Sequence, residues 1–469
     1  MDAMIGLEVH CRLNTASKLF CSDSASSEGA RPNAVTCPVC LGYPGYKPTV
    51  NRKAVEHVIA IGLALNCSIA EKALFARKTY FYPDMAKNYQ ITQYEMPIAH
   101  GGAVQLDGMR IRIRRAHLEE DPARISYPGG TVGGAYVLVD YNRAGAPLAE
   151  IVTEPDFPDA AHARRFLQRL ATLLEYIGVY DSGSEAAMRV DANVSLHGGE
   201  RVEIKNITGF EHVERALNHE IVRQRSIIRS GARIERETRR FDDASGTTMR
   251  MRTKESEEDY GYICDPDLPA IRISREQVGR IAAAMPELPD KRASRIASRY
   301  SISDSMAHLI VYHGRDFADF FEECAAQYSD YGRLANWAAI YLLKSLNWRG
   351  ERVSESKVSA DGFVELLVLI DSGSITERFA KELIKEYADT GIRPRALLAN
   401  KRTRIGEEEL ARIVEETAAE NERAVRELSS GSGKAMQYLI GKVLERTANQ
   451  ADPKLIRKIL EERYASVAQ

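Results

Sequence analysis

Glu8 and His10 stand two residues apart in the segment Leu7-Glu8-Val9-His10-Cys11-Arg12-Leu13, where apolar and polar side chains alternate. Successive side chains of a strand point to opposite faces, so Leu7, Val9, Cys11 and Leu13 share one face and Glu8, His10 and Arg12 the other. A carboxylate and an imidazole on one sheet face, taken with the run His117-Leu118-Glu119-Glu120-Asp121 and with Glu150 and Glu154, are the materials of a divalent-cation site. Such oxygen-rich ligation suits Mg2+, which keeps part of its water and shares phosphate oxygens. Alternation alone favours the plainer reading, in which this face meets solvent, and no short motif such as H-E-x-x-H tips the balance.

A second block runs Lys78-Thr79-Tyr80-Phe81-Tyr82-Pro83-Asp84 and on to Lys87-Asn88-Tyr89-Gln90. It sets four aromatics and two lysines within thirteen residues of a chain that is 7% aromatic. A lysine there can neutralise phosphate and a tyrosine can stack on a base, while an aromatic packing corner beside a proline turn has the same composition. The loop Asp140-Tyr141-Asn142-Arg143 leading to Pro147 gathers a carboxylate, an amide and a guanidinium, as binding loops and ordinary turns both do. Cys37-Pro38-Val39-Cys40 is a C-x-x-C with Cys21 upstream. Closed zinc sites take four ligands, and Asp23 is the candidate fourth. A redox pair is the rival, although no thioredoxin-like βαβ pattern surrounds it, and metal-free cysteines are the third alternative. Gly431-Ser432-Gly433-Lys434 is too short for a P-loop, lacks the hydroxyl residue after the lysine, and reads as a turn. In the last stretch, Lys434, Lys442, Arg446, Lys454, Arg457, Lys458 and Arg463 outnumber Glu445, Asp452, Glu461 and Glu462. A basic surface there can track a phosphate backbone, whereas a solvated face of mixed charge is the commoner arrangement.

The elements that must position these groups exceed one core, because the chain has 469 residues and single cores stop growing near ~250–300. Apolar residues are 44% and charged residues 28%, an ordinary globular balance, and 64 basic against 66 acidic residues exclude a globally basic nucleic-acid coat. Seven cysteines, five of them in the first 67 residues, fit a reducing cytoplasm rather than a disulfide scaffold. The first residues lack a basic-then-apolar leader, and no apolar run approaches the ~20 residues of a membrane span. The expectation is an α+β protein. Residues 1 to about 290 mix strands (7–13, 109–117, 136–139) with glycine turns at 128–134 and a helix begun at Asp159. Beyond 290 helices are expected at 316–327, 335–346, 360–372, 375–389, 407–420, 422–428, 434–446 and 454–463, with a breakpoint near 401–406.

The short motifs Gly6-Leu7-Glu8-Val9-His10, Ser17-Lys18-Leu19-Phe20-Cys21, Cys37-Pro38-Val39-Cys40-Leu41-Gly42, Tyr80-Phe81-Tyr82-Pro83-Asp84, His117-Leu118-Glu119-Glu120-Asp121, Asp140-Tyr141-Asn142-Arg143, Glu150-Ile151-Val152-Thr153-Glu154-Pro155-Asp156, Asp191-Ala192-Asn193-Val194-Ser195, Glu203-Ile204-Lys205-Asn206 and Asp265-Pro266-Asp267-Leu268-Pro269 occur in that order. In number and order they resemble the GatB subunit family of the aspartyl/glutamyl-tRNA amidotransferases over nearly the whole chain. The resemblance implies a cradle-like kinase domain (1–292) that binds ATP and Mg2+, a helical domain (293–403) and a helical tRNA-binding tail (404–469). It implies phosphorylation of the side-chain carboxylate of Asp or Glu on a misacylated tRNA, then displacement of phosphate by ammonia from a partner amidase subunit, with a small third subunit tying the two together. Glu8, His10, Glu119, Glu120 and Glu150 match the family's metal-bearing positions, and Glu8, His10, Glu120 and Glu150 its reaction centre. Strand parity sets Glu119 beside His117 and turns Glu120 away, so the choice between these two as ligands stays open. Lys78, Tyr80, Tyr82, Asp191 and Lys205 are candidates for phosphate and substrate contacts, and Lys434, Lys442, Arg446, Lys454, Arg457 and Lys458 for tRNA. The family often carries a second cysteine where Asp23 stands, so Zn2+ on Cys21, Cys37 and Cys40 remains one alternative. Tyr260-Gly261-Tyr262 replaces a commoner Tyr-Arg-Tyr. A non-catalytic tRNA-binding scaffold with an inert acidic face is the competing reading, and a free-standing metal hydrolase a third.

Overall fold

The structure, a computed structural model, describes residues 3–128, 136–183, 187–196, 199–253, 261–399, 407–430, 432–447, 451 and 453–465. The chain divides into two compact units, Met1–Pro289 and Asp290–Gln469.

The first unit is built on a nine-stranded sheet. Its strands are β1 (Ala3–Arg12), β2 (Ser68–Ile69), β3 (Ala99–Leu106), β4 (Met109–Glu120), β5 (Pro147–Thr153), β6 (Met188–Leu196), β7 (Val202–Ile207), β8 (Glu237–Asp242) and β9 (Thr247–Thr253). They lie in the order β9-β8-β7-β6-β1-β5-β4-β3-β2. Neighbours are antiparallel except β7 and β8, which are parallel. Parallel neighbours need a crossover, and the helix Phe210–Arg229 supplies it. Two further helices, Arg52–Ala64 and Ala160–Tyr176, start where Asn51 and Asp159 accept hydrogen bonds from the backbone N–H of Ala54 and His162. Ile5, Leu7, Val9 and Cys11 of β1 join Ile151, Val190 and Ala192 in a core completed by Val58, Leu167 and Leu217 from the three helices.

The register of β4 against β5 slips between Val152, opposite Arg115, and Thr153, opposite Ile113. Arg114 is therefore a bulged extra residue, and the alternation inverts across it. Ile111 and Ile113 before the bulge and Ala116 and Leu118 after it all reach the core. Unbroken period-two alternation from Ile111 would have buried His117 and Glu119 in the apolar layer. The bulge turns them to the polar face.

The strand expected at 136–139 is shorter and later, Leu138–Asp140, and pairs only with Arg124–Ser126. The second unit is helical as described. Helices occur at Arg315–Ala325, Ala360–Asp371, Glu377–Thr390, Glu407–Glu420, Glu422–Ser429, Gly433–Arg446 and Pro453–Leu460. The helix expected at 335–346 is longer and broken: Tyr331–Asn336 passes through a π-helical turn, Trp337–Leu342, into Leu343–Arg349. Asp304–Tyr312, capped by Ser303 and parted from the next helix by Gly314, is a further helix that the sequence reading does not place. Leu410, Val414, Leu439, Val443 and Ile456 form a separate small core near the C-terminus. The glycine turns expected at 129–134, the breakpoint at 401–406 and Gly431 lie outside the described residues. No helix among the described residues is long and apolar enough to cross a membrane.

Candidate functional site

The polar face of β4, β5, β1 and β6 carries the site. In register, Glu150 lies opposite His117 on one side and His10 on the other, and Glu8 lies opposite Asp191. These groups come from four strands but from adjacent rungs, and β7, beside β6, adds Glu203 and Lys205 to the same patch. They line a cavity of about 270 Å³ with Lys78, Lys205 and the stacked ring pair Tyr94–Tyr262, whose centroids are 4.2 Å apart.

Two ligand groups stand out on this wall. His10, Glu119 and Glu150 offer three ligand atoms within 4.8 Å of one another, and so do Glu8, Asp191 and Glu203. In the first, His10 Nδ1 meets Glu119 Oε1 at 2.7 Å, and His117 Nε2 meets Glu150 Oε2 at 3.2 Å. In the second, Lys205 Nζ donates to Asp191 at 2.9 Å and lies 2.9 Å from Glu203. The Asn206 N–H donates to Asp191 at 2.7 Å, and Asn193 Nδ2 donates to Glu8 at 3.0 Å.

The charges hold one another. Burial works against protonated His10, but Glu119, Glu150 and Asp191 outweigh it and raise the imidazole to about 9. Burial and the neighbouring Glu150, Asp191 and Glu203 raise the Glu8 carboxyl. Glu150 goes the other way: burial is overcome by His117, His10 and Arg115, which hold it well below the usual carboxylate range. Asp191 is likewise lowered against burial, by Lys205 and His10, while Asp191 and Glu203 drive Lys205 well above its ordinary value despite burial. A largely buried wall with both signs of charge and donors fixed in place is suited to holding cations against phosphate oxygens. Its donors, carboxylates with one imidazole, are those of a hard divalent cation. Gln93 Nε2, His117 Nδ1 and Asn193 Oδ1 are buried there without a protein partner, a cost that bound solvent or substrate offsets.

Of the residues singled out in the sequence, Glu8, His10, Glu119, Glu150, Lys78, Tyr80, Asp191 and Lys205 all line this cavity. Glu120 does not. It ends β4 on the opposite face, where Lys87 Nζ donates to both carboxylate oxygens at 2.6 Å and the Ile91 N–H donates at 2.7 Å. Adjacent strand residues point apart, so Glu120 cannot join Glu119 as a ligand. Tyr82 is also elsewhere, exposed with its hydroxyl 3.4 Å from that of Tyr127. Cys21, Asp23, Cys37 and Cys40 converge in a second cluster. In the tail, Lys434, Arg446, Lys454, Arg457 and Lys458 are exposed and Lys442 half-buried. Lys442 pairs with Glu445, Arg446 with Glu420 and Lys458 with Glu462, the balanced surface that mixed charge allows. Sequence reasoning does not reach Glu203 and Asn193 as site residues, whereas it counts His117 among the materials of the cation site. The alternations Val190-Asp191-Ala192-Asn193-Val194 and Val202-Glu203-Ile204-Lys205 carry the signal for the two it misses.

A family model described as the GatB/GatE catalytic domain matches residues 3–279, and one described as the GatB domain matches residues 319–463. The chain is 46% identical over 467 residues to the B subunit of the aspartyl/glutamyl-tRNA(Asn/Gln) amidotransferase of Saccharolobus solfataricus, covering 98% of each chain. It is 44% identical to the protein of that name from Sulfolobus acidocaldarius, over 97% of this chain and 98% of the relative. Identity to that of Carboxydothermus hydrogenoformans is 39%, over 99% of both.

Proposed function

The chain belongs to the family of GatB subunits of aspartyl/glutamyl-tRNA(Asn/Gln) amidotransferases, and from that premise we propose that its sheet face is the phosphorylating centre of a tRNA-dependent amidotransferase. The side-chain carboxylate of Asp-tRNA(Asn) or Glu-tRNA(Gln) attacks the terminal phosphorus of ATP and ADP leaves. Ammonia delivered by the amidase subunit of a complex that includes a small third subunit then displaces phosphate, giving Asn-tRNA(Asn) or Gln-tRNA(Gln). The observation that carries this reading is the convergence of His10, Glu119 and Glu150 beside Glu8, Asp191 and Glu203 on one buried wall.

A carboxylate is a poor electrophile, and phosphoryl transfer depends on positioning and charge neutralisation. His10, Glu119 and Glu150 would hold one Mg2+ and Glu8, Asp191 and Glu203 a second. Bound there, the ions neutralise nucleotide phosphates. His117 orients Glu150, and Asn193 orients Glu8. Lys205 and Lys78 bring positive charge to the same hollow. Tyr94 and Tyr262 present a ring surface for a base or the aminoacyl end. On the same reading the enzyme is cytoplasmic. Residues 1–292 form its catalytic cradle, 293–403 a helical domain and 404–469 a tRNA-holding tail, with Lys434, Lys454 and Arg457 toward the phosphate backbone.

The test is amidation of each misacylated tRNA by the reconstituted complex with Glu150→Gln and Glu8→Gln. Loss of tRNA-dependent ATP turnover with tRNA binding retained supports the proposal. Undiminished amidation refutes the site. Tight tRNA binding by the unsubstituted complex without phosphoryl transfer would instead favour a scaffold.

A further inference from the structure

Beyond Glu8 the polar face of the sheet continues into a second, smaller hollow of about 130 Å³. It shares Glu8, Arg114, Val152 and Arg201 with the main cavity. Gly6 and Asn193, opposite each other in the register of β1 and β6, belong to this hollow alone. Met4, Gly6, Glu8 and His10 form one row along β1, and only Gly6 brings no side chain to it. Glycine inside a strand weakens it and often marks a bulge or a place where a ligand or another backbone comes close. At Gly6 the strand is regular and paired on both neighbours' sides of the row. An added Cβ would stand 3.5 Å from Pro155, an ordinary contact. Neither the backbone nor the packing of this chain asks for glycine here, so the room beside it is left for a bound molecule.

Asn193 supplies an independent observation. The residue is 9% exposed, its Nδ2 donates to Glu8 Oε1 at 3.0 Å, and its Oδ1 is buried without a protein partner. An unpaired buried amide oxygen costs free energy until a donor meets it. With Glu8 beside it and Asp191 on the next rung, a positively charged donor is favoured over a neutral one.

We propose that this hollow seats the aminoacyl end of the misacylated tRNA, with the α-ammonium group of the Asp or Glu ester donating to Asn193 Oδ1 in the space beside Gly6. The inference rests on the proposed function and names the part of the substrate that this wall holds. Anchored there, the side chain extends past Glu8 into the main cavity, where its carboxylate meets the terminal phosphate. Arg114 and Arg201, both exposed and lining both hollows, bring positive charge to the phosphate of the last nucleotide. Aspartyl and glutamyl esters share the α-ammonium group, so this anchor does not choose between them.

The test is steady-state amidation by the reconstituted complex carrying Gly6→Ala, with misacylated tRNA and with the same tRNA N-acetylated on its amino acid. Acetylation removes the ammonium charge and leaves the side-chain carboxylate intact. The methyl narrows the hollow without strain, so the thermal midpoint is expected to hold or rise. KM for the misacylated tRNA is expected to rise about tenfold or more, with KM for ATP unchanged. Acetylation is expected to lower kcat/KM about tenfold or more in the unsubstituted complex, and much less in Gly6→Ala, where the anchor is already lost. If Gly6→Ala fails to fold, the acetylated substrate on the unsubstituted complex decides alone. Equal use of the acetylated and free forms overturns the proposal, and so does a Gly6→Ala effect on KM for ATP in place of KM for tRNA, which would put the nucleotide in the hollow. In both cases tRNA-dependent ATP turnover persists and the proposed function stands. Its absence from the unsubstituted complex overturns both.

Discussion

Glu119→Gln isolates the charge pair at the centre of the site. His10 is raised from 6.5 to about 9, against the pull of burial, and Glu119 heads the groups that raise it. The net rise corresponds to ~3.4 kcal/mol at 1.36 kcal/mol per unit. The amide keeps the shape of the carboxylate and removes its charge. Glu150 and Asp191 remain to oppose burial, so His10 is expected to fall from about 9 once the Glu119 charge is gone. The assay is a 1H–13C NMR titration of the His10 ring in metal-free protein. The sign extends to stability. A folded-state value above the unfolded one contributes stability that is full below about 6.5 and is lost as pH rises through about 9. The deficit of Glu119→Gln in chemical unfolding is therefore expected to be greatest near pH 6 and to shrink toward pH 10. A His10 titration unmoved by the substitution refutes the pairing and, with it, the assignment of these side chains to one site.

Lys205→Met should separate two roles. At an effective dielectric of ~20, unit charges 4 Å apart interact by about 4 kcal/mol, so losing the lysine should slow single-turnover phosphoryl transfer by about 100-fold or more. It should tighten Mn2+ binding at Glu8, Asp191 and Glu203, read by electron paramagnetic resonance. Lys87→Met strands a buried carboxylate at Glu120 and should cost about 3–5 kcal/mol in chemical denaturation, with Glu120→Gln in the same chain recovering part of it. At Gly42, an added Cβ would stand 2.4 Å from Lys87 Cγ at a left-handed φ, so Gly42→Ala should lower the thermal midpoint by several degrees.

Alternation in Leu7–Leu13 is enough to place Glu8 and His10 on the polar face of a strand, because β1 is unbroken and its register with β5 is regular. The same alternation in Met109–His117 points the wrong way for His117 and Glu119. The bulge at Arg114 is set by pairing with Val152 and Thr153, about forty residues on, and local periodicity holds no trace of it. Parity within the strand still separates Glu119 from Glu120, and family likeness alone joins Glu120 to the ligands. Asp159 announces its helix through a cap whose geometry is local. That Glu8 sits with Asp191 and Glu203 depends on β6 lying next to β1 and β7 next to β6 in the sheet, a fact of topology rather than of motif.

The most direct test of the central claim is anomalous diffraction from crystals of the assembled complex soaked with Mn2+ and a non-hydrolysable ATP analogue. Peaks at His10, Glu119 and Glu150 and at Glu8, Asp191 and Glu203, bridged to the terminal phosphate, are the result expected. Nucleotide and manganese bound away from this strand face would contradict it.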